Sequence, residues 1–504
     1  MSNRKRFFRD GAMLTVVALS MRSVSMLFSS FISRSVGSEG VGLFTIIMTV
    51  YSFAVTFASS GISLTVTRLI ASAEEQDKKG VISGGILYAL MFGIAGTVLL
   101  FSFSDIIALK ALSEPRAAVP LRLLSASLIF VAIGSAFNGY FVGVKRVRAN
   151  ATAQVFGQAS RIIFSVFLVL AFGKGDMYTS VVLLSLGITL TELFSFALML
   201  ILYLHDRRKY STGSDASPAL RQVSKMALPL AFSQYFRSLL LSAEHILIPR
   251  RLMDRGESNS EALSNYGILH GMALPTVLFP MSPLSSYSGL LVPEFAEDES
   301  RGNKARMSRI TAEALGATLK YGAVVSVLVA FFAEELGYVL YDSFDSGYYI
   351  RLLAPVIPIM YLDHVTDQIL KGIGEHVYSM WVNIADSCLS LLLVYFLIPQ
   401  LGIMGYALVI VIMEGFNFVL SIIRLAGKIK LKLNLVSSVV TPAVTAFISC
   451  VICDRIFRFN GAAASPLWLI LKIVFAIAAF VFLYSFKNVL LCNIHKKKKI
   501  PKTN

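Results

Sequence analysis

The chain has 504 residues, of which 56% are hydrophobic and only 15% charged, and its mean hydropathy is +0.70. This composition excludes a soluble globular protein, because a folded chain of this length needs far more polar surface. The net charge of +16 does not indicate nucleic-acid binding, since the basic residues lie in short loops between apolar runs, as the positive-inside rule predicts.

Runs of about 20 apolar residues, each long enough to cross the hydrocarbon core of a bilayer, recur along the whole chain. The sequence therefore predicts an all-α integral membrane protein of about fourteen transmembrane helices. The N-terminal run is too long for a signal peptide and lacks a cleavage site, so we interpret it as the first of these helices. The predicted helices span residues 11–34, 41–70, 81–104, 119–144, 150–173, 179–204, 223–249, 264–293, 308–333, 350–373, 377–399, 402–424, 436–457 and 466–491.

The second and eighth predicted helices are longer than a bilayer requires, and we expect each of them to be tilted or broken. The eighth also contains Pro275, Pro280 and Pro283, and each proline removes one backbone hydrogen bond from a helix. Most of the 46 basic residues lie in alternate loops and at the two ends of the chain. This bias predicts a multi-pass plasma-membrane protein with both termini in the cytoplasm. The basic tail from Lys496 to Lys499 is expected to rest on anionic membrane lipid, although a topology anchor explains it equally well.

Three motifs of the first half recur in order in the second half, at offsets of roughly 225 residues. The motif around Gly42 corresponds to that around Gly267, and the motif around Glu192 corresponds to that around Glu414. Six helices per half is an even number, so we expect parallel repeats with a substrate path between them. The predicted organisation is an N-terminal six-helix bundle over 1–205, a cytoplasmic linker over 206–222, a C-terminal six-helix bundle over 223–430, and two additional helices with a basic cytoplasmic tail over 431–504.

Several basic side chains lie at mid-membrane depth in the predicted helices. Arg22 is about 15 Å from each end of the first helix, too far for its guanidinium to reach the lipid headgroups. Arg237 occupies the corresponding point of the seventh helix, and Arg68 lies at the inner end of the second, where snorkelling also explains it. A charge at the bilayer centre costs about 2.5–3.5 kcal/mol, so such residues indicate a transporter with a watery or protein-lined path. Because a guanidinium binds phosphate oxygens bidentately, Arg22 and Arg237 are candidate ligands of a phosphate group, and Arg68 is a further candidate for which snorkelling stays an equal explanation.

Acidic residues at similar depths are candidates for lining a cavity or coupling transport to an ion. They are Glu192, Glu244, Asp363, Asp367, Asp386 and Glu414. A structural alternative stays open, in which Arg22 pairs with Glu192 and Arg237 with Glu414. Glu244 follows Arg237 by one heptad, so the two share a helix face. Candidate polar cavity groups, for which interhelical contacts are the alternative explanation, are Asn138, Gln154, Gln158, His270 and Asn383.

Cys450 and Cys453 form a lone CxxC pair on an apolar helix. A zinc site requires more ligands, and the sequence offers neither a second pair nor a nearby histidine. We therefore expect packing roles for both thiols, and no metal or other cofactor.

The most specific part of the sequence is its opening 70 residues. After Arg22 comes the segment Ser33 to Phe44, Ser-Arg-Ser-Val-Gly-Ser-Glu-Gly-Val-Gly-Leu-Phe, and then Ser60-Gly61-Ile62-Ser63 leading to Arg68. These motifs resemble the stage V sporulation protein B group of polysaccharide exporters, and Ile-Pro-Arg-Arg-Leu at 248–252 is similar to that group's Val-Pro-Arg-Arg-Leu.

The resemblance implies membership of the multidrug/oligosaccharidyl-lipid/polysaccharide superfamily, which includes the lipid II flippases. It implies two six-helix bundles around a V-shaped central cavity, alternating access, and two C-terminal helices that form a groove for a lipid tail. Arg22 and Arg68 match the basic residues of the group's first two helices, and Glu244 stands where the group often has aspartate. At Arg237, related sequences are often uncharged.

The resulting hypothesis is a bacterial flippase for a polyprenyl-diphosphate-linked saccharide, a precursor of cell wall, spore cortex or polysaccharide. It would work as a monomer, with H⁺ or Na⁺ as the coupling ion where one is used, and would not be an enzyme. One alternative is a cation-coupled multidrug antiporter of the same superfamily that uses the buried carboxylates. More remote alternatives are a polytopic glycosyltransferase or ligase, which the short outer loops disfavour, and a non-transporting assembly partner.

Overall fold

A computed structural model describes residues 2–73, 77–173, 175–207, 216–429, 436–458 and 466–498. Within these ranges every regular element is a helix and none is a strand, which confirms the all-α prediction. Residues 208–215 of the predicted linker and 499–504 of the basic tail lie outside the described ranges.

Nineteen α-helices follow one another along the described parts of the chain. In the first half they are α1 (Ser2–Ser59), α2 (Ile62–Ser72), α3 (Lys78–Ile106), α4 (Ala118–Ser125), α5 (Ser127–Gly143), α6 (Val147–Phe172), α7 (Met177–Arg207), α8 (Ala216–Asp254) and α9 (Asn259–Tyr266). In the second half they are α10 (Leu274–Leu278), α11 (Ser282–Ser300), α12 (Lys304–Phe331), α13 (Ala333–Tyr341), α14 (Phe344–Leu353), α15 (Ile357–Gly372), α16 (His376–Leu401), α17 (Ile403–Lys428), α18 (Thr441–Arg458) and α19 (Pro466–Lys498).

Ten helices within the described ranges are long and apolar enough to cross a membrane, or up to eleven if a bent pair counts as one span. That bent pair joins Pro115–Ser125 to Ser127–Gly143 at an angle of 43°. These spans establish a multi-pass membrane protein, whereas the total of fourteen helices stays a prediction. Helix α8 is 39 residues long but is not among these ten. Its interior charges, Arg237 and Glu244, lower its mean hydropathy, the property by which a membrane span is recognised.

The predicted second helix is broken, as expected from its length. Helix α1 covers the first predicted helix and most of the second, and Gly37 between them has a non-helical φ of 68°. The second predicted helix is broken once more, between the end of α1 and the start of α2. Gly61 at this second break has a φ of 76°, a left-handed conformation that favours glycine. A Cβ there would lie 2.5 Å from the carbonyl oxygen of Ala227, so the close approach of α8 also requires glycine.

The predicted eighth helix is broken as well, which confirms the second expectation. Helix α9 passes into a π-helical turn at Gly267–Ala273, then into the short α10, a 3₁₀ turn at Phe279–Met281, and α11. A proline lies near the start of α10, of the 3₁₀ turn and of α11. Proline lacks a backbone N–H, and at the start of a helix that group would have no intrahelical partner in any case. The irregular backbone therefore follows the proline positions in the sequence.

Packing divides the chain into two compact units. Unit A comprises residues 1–30, 268–386 and 407–504, and unit B comprises residues 31–267 and 387–406. In unit A, the buried side chains of α12 and α15, such as Leu315, Leu319 and Val365, form the centre of one apolar cluster. In unit B, α6 packs on α7 and α2 on α5. The bundle boundaries at residues 205, 223 and 430, and the central cavity between the two bundles, stay predictions.

Candidate substrate groove and acidic cavity

An apolar groove of about 850 Å³ runs along unit A. Its walls come from α1, the α10 region, α12, α13 and the two C-terminal helices α18 and α19. Helix α19 lines the groove from Pro466 to Tyr484, a length of about 27 Å at 1.5 Å per residue. The lining of α19 includes Leu469, Ile473 and Ile477. A long, narrow and apolar groove of this kind suits an extended hydrocarbon chain.

Arg22 lies on α1 directly before Ser23, a residue that lines this groove. It precedes the lining residue Met26 by one helical turn, so the two side chains share a face of the helix. Arg22 is exposed, and it interacts electrostatically with the hydroxyl of the buried Tyr361. Within the described part of unit A, its guanidinium makes no hydrogen bond or ion pair. The guanidinium is therefore available to an anion.

A second cavity in unit A, of about 200 Å³, brings together several of the predicted acids. Asp363 and Asp367 of α15 line it with Asn383 of α16 and Glu414 of α17. Asp363 accepts a hydrogen bond from the Ser421 hydroxyl at 3.1 Å, and Asp367 is 2.5 Å from the Lys371 ammonium. The carboxylates are thus gathered from three helices around one polar space.

Other polar groups extend this cavity. Asn417, which also lines it, donates its side-chain amide to Asp386 at 3.0 Å and so connects that predicted acid to the cavity. His364 lies in the lining and is 3.4 Å from the Ser288 hydroxyl. The Asn383 amide donates to the backbone oxygen of Ser379 at 2.6 Å, within its own helix. No cluster of His, Cys, Asp and Glu side chains in the described residues has metal-binding geometry.

In unit B, Glu192 is paired by a residue that the sequence analysis did not single out. Arg161 of α6 lies 3.2 Å from the Glu192 carboxylate of α7. Glu244 of α8 is buried and accepts a hydrogen bond from the Ser390 hydroxyl of α16 at 2.5 Å. Both glutamates therefore have partners within their own unit.

The remaining predicted site residues are spread over several helices. Arg68 on α2 and Arg237 on α8 are exposed, and within the described part of unit B neither guanidinium makes a hydrogen bond or ion pair. Asn138 on α5 is half-buried. Gln154 and Gln158 on α6 and His270 in the π-helical turn each have an interaction partner, as interhelical contacts would require.

Two charged residues of the transmembrane helices, Arg161 and Lys320, were missed by the sequence analysis. Arg161 forms the ion pair just described, and Lys320 of α12 lines the apolar groove. The pattern that could have found them is the one that identified Arg22, a charge far from both ends of an apolar helix.

Comparison with solved structures identifies the class of protein. The chain superposes on the lipid II flippase MurJ in its inward closed conformation with a TM-score of 0.72, covering 95% of this chain and 100% of that chain at 12% identity. It superposes on an inward-facing multidrug resistance MATE family transporter with a TM-score of 0.65, covering 82% of this chain and 98% of that chain at 15% identity. The chain therefore has the fold of the multidrug/oligosaccharidyl-lipid/polysaccharide (MOP) superfamily.

Sequence comparison identifies the family. The model of the polysaccharide biosynthesis protein family matches residues 7–298, more than half of the chain, and the chain belongs to this family. Stage V sporulation protein B of Bacillus subtilis (strain 168) is 24% identical over 428 residues, which cover 81% of each chain. These relatives are transporters and sporulation proteins, in agreement with the prediction that the protein is not an enzyme.

Proposed function

We propose that the protein is a flippase that moves a polyprenyl-diphosphate-linked saccharide across the plasma membrane by alternating access. The observation that carries this proposal is the apolar groove of unit A, with Arg22 next to the lining residue Ser23 on α1. The groove offers about 27 Å of apolar lining to an isoprenoid chain, and the neighbouring guanidinium would form bidentate hydrogen bonds with the diphosphate.

Arg237 and Arg68 of unit B are the other proposed ligands of the diphosphate. Both are exposed cations, and neither has an acidic partner among the described residues of its unit, as a transient anionic substrate requires. The saccharide would be a precursor of cell wall, spore cortex or another polysaccharide, in line with the names of the lipid II flippase and of the stage V sporulation protein B relative. We further propose that both termini are cytoplasmic and that the protein acts as a monomer.

The acidic cavity supports ion coupling as part of this function. Asp363, Asp367 and Glu414 share one space, and the protonation or Na⁺ binding of these carboxylates would change its net charge. Such a change can favour one conformation of a transporter over another, provided that the ion binds the two conformations with different affinities. The same cavity is the observation that favours the second candidate function, a cation-coupled multidrug antiporter.

The test is a flipping assay in reconstituted vesicles with a fluorescent polyprenyl-diphosphate-linked saccharide. Arg22→Ala and Arg237→Ala should each reduce flipping at least tenfold, equal to about 1.4 kcal/mol of transition-state free energy. The matched control is Arg301→Ala, which removes a side chain that is 67% exposed and paired only within its own helix. Unchanged flipping in both test variants contradicts the proposal. Export of cationic drugs without any flipping favours the antiporter.

A further inference from the structure

Lys320 is the only charged residue among the described side chains that line the groove. It lies about 16 residues after the first residue of α12 and about 11 before the last, or about 24 Å and 17 Å at 1.5 Å per residue. The Lys320 side chain is exposed and lines the groove. Its charge therefore faces the space that a lipid chain would enter.

No side chain in the described part of unit A pairs with this charge. Over the ranges that the structure describes, the Lys320 ammonium has no ion pair or hydrogen bond within its unit, and the groove around it is lined by Val324, Leu328 and other apolar side chains. An uncompensated charge in such surroundings is costly. Its presence is explained if an anionic group enters the groove and forms the missing pair.

Arg22 and Lys320 lie around the same pair of tyrosines. Arg22 interacts electrostatically with the Tyr361 hydroxyl, and the Tyr361 ring stacks on the Tyr321 ring with centroids 6.1 Å apart. Tyr321 follows Lys320 directly in α12 and lines the groove with it. The two stacked tyrosines therefore connect Arg22 on α1 with the part of α12 that carries Lys320.

We propose that Lys320 is a specificity-determining residue, which together with Arg22 binds the phosphate that joins an isoprenoid chain to its headgroup. The inference rests on the proposed function and adds to it the residue that selects lipids with a phosphate at the end of the chain. A neutral isoprenoid alcohol would fill the same apolar lining and leave the ammonium unpaired, so the groove discriminates against it.

The proposal is tested by lipid binding to the full-length purified protein, measured by native mass spectrometry. The probes are undecaprenyl diphosphate, the neutral undecaprenol, and phosphatidylglycerol as an anionic lipid with two acyl chains. Lys320→Met should weaken the binding of undecaprenyl diphosphate by about 10- to 100-fold, the range expected for one charge-assisted hydrogen bond. It should leave the binding of undecaprenol within about twofold of wild type, since that lipid makes only apolar contacts in the groove. Lys320→Arg should retain the binding of both.

The control is Lys304→Met, which removes an exposed lysine from the first position of the same helix and should leave all three affinities unchanged. Wild-type affinity of Lys320→Met for undecaprenyl diphosphate overturns the proposal. So does an equal loss of undecaprenol binding, which would show that Lys320 only maintains the shape of the groove. If phosphatidylglycerol binds as tightly as undecaprenyl diphosphate and depends equally on Lys320, the site belongs to bulk phospholipid and the isoprenoid assignment is wrong. Failure of the proposed function is seen separately, as unchanged flipping in Arg22→Ala and Arg237→Ala.

Discussion

Gly42 and Gly267, the corresponding glycines of the two sequence repeats, are in direct backbone contact within unit B. A Cβ added to Gly267 would lie 2.6 Å from the amide nitrogen of Gly42 and 3.0 Å from its Cα. A Cβ added to Gly42 would overlap the carbonyl oxygen of Leu263. Nearby, the hydroxyls of Ser38 and Ser264 are 2.7 Å apart. The repeat that was inferred from three short motifs thus places matching residues against each other in the fold.

The first prediction concerns this contact. Gly42→Ala should destabilise the protein by about 1–3 kcal/mol, because the backbone of α9 must move away to admit the methyl group. The measurement is the thermal unfolding midpoint of the detergent-solubilised protein. The control is Gly316→Ala in α12, where nothing lies within 4 Å of the added Cβ and alanine is the better helix former. Equal midpoints for the two variants would contradict the packing described here.

The second prediction concerns the ion pair between Arg161 and Glu192. Arg161→Met should destabilise the protein by about 1–3 kcal/mol, because it leaves a carboxylate without its partner inside the membrane-spanning region. Adding Glu192→Leu should restore part of that loss, since the double variant contains neither charge. A double-mutant cycle of unfolding midpoints measures this coupling. Additive effects would indicate that the pair is absent from the folded protein.

The sequence was sufficient to predict the class of fold and most of its helices. Apolar runs define helices because the backbone must satisfy its own hydrogen bonds in lipid, and the prolines near 275–283 and the excess length of 41–70 marked where helices would break. The gap predicted between the first two helices, residues 35–40, contains Gly37, whose φ of 68° interrupts α1.

The site was predicted less completely than the fold. Depth along a helix can be calculated from the sequence, so Arg22, Asp363 and Glu414 were recognised as charges at mid-membrane depth. Which charge pairs with which depends on tertiary packing. Glu192 therefore has Arg161 as its partner in unit B, although the sequence alone suggested Arg22. The role of Lys320 was likewise not predictable, because only the assembled groove shows how apolar its surroundings are.

The third prediction concerns pH and the loop after the π-helical turn at Ile107–Ala111. Burial raises the pKa of Glu114, but hydrogen bonds from Arg116 and Asn259 and the charge of Arg116 outweigh it, so this pKa lies below its usual range. A carboxyl whose pKa is lower in the folded than in the unfolded state stabilises the fold at any pH above its unfolded pKa, which is about 4.3 for glutamate. This stabilisation is lost as the pH falls through the pKa of the folded state.

Glu114→Gln should therefore be less stable than wild type at pH 7 by about 1–2 kcal/mol, a figure that allows for solvent screening of the partly exposed Arg116. The difference in unfolding midpoint should shrink as the pH falls below about 4. Glu297→Gln, in an exposed pair within one helix, is the control and should have little effect at any pH. A difference between Glu114→Gln and wild type that grows on acidification would refute the assignment.

The last prediction concerns the acidic cavity of unit A. If its carboxylates couple transport to an ion, Asp363→Asn and Glu414→Gln should each preserve the volume of the cavity while removing a titratable, cation-binding group. Each variant should lose the acceleration of flipping that an imposed ion gradient gives the wild-type protein, with its rate falling to that of wild type without a gradient. Separate pH and Na⁺ gradients across the vesicle membrane identify the ion.

The control is Glu313→Gln, whose side chain is 70% exposed on α12 outside the cavity, and it should respond to the gradient as wild type does. Gradient-accelerated flipping that persists in both cavity variants would assign the acids a purely structural role, because loss of a coupling site must abolish the response in at least one of them.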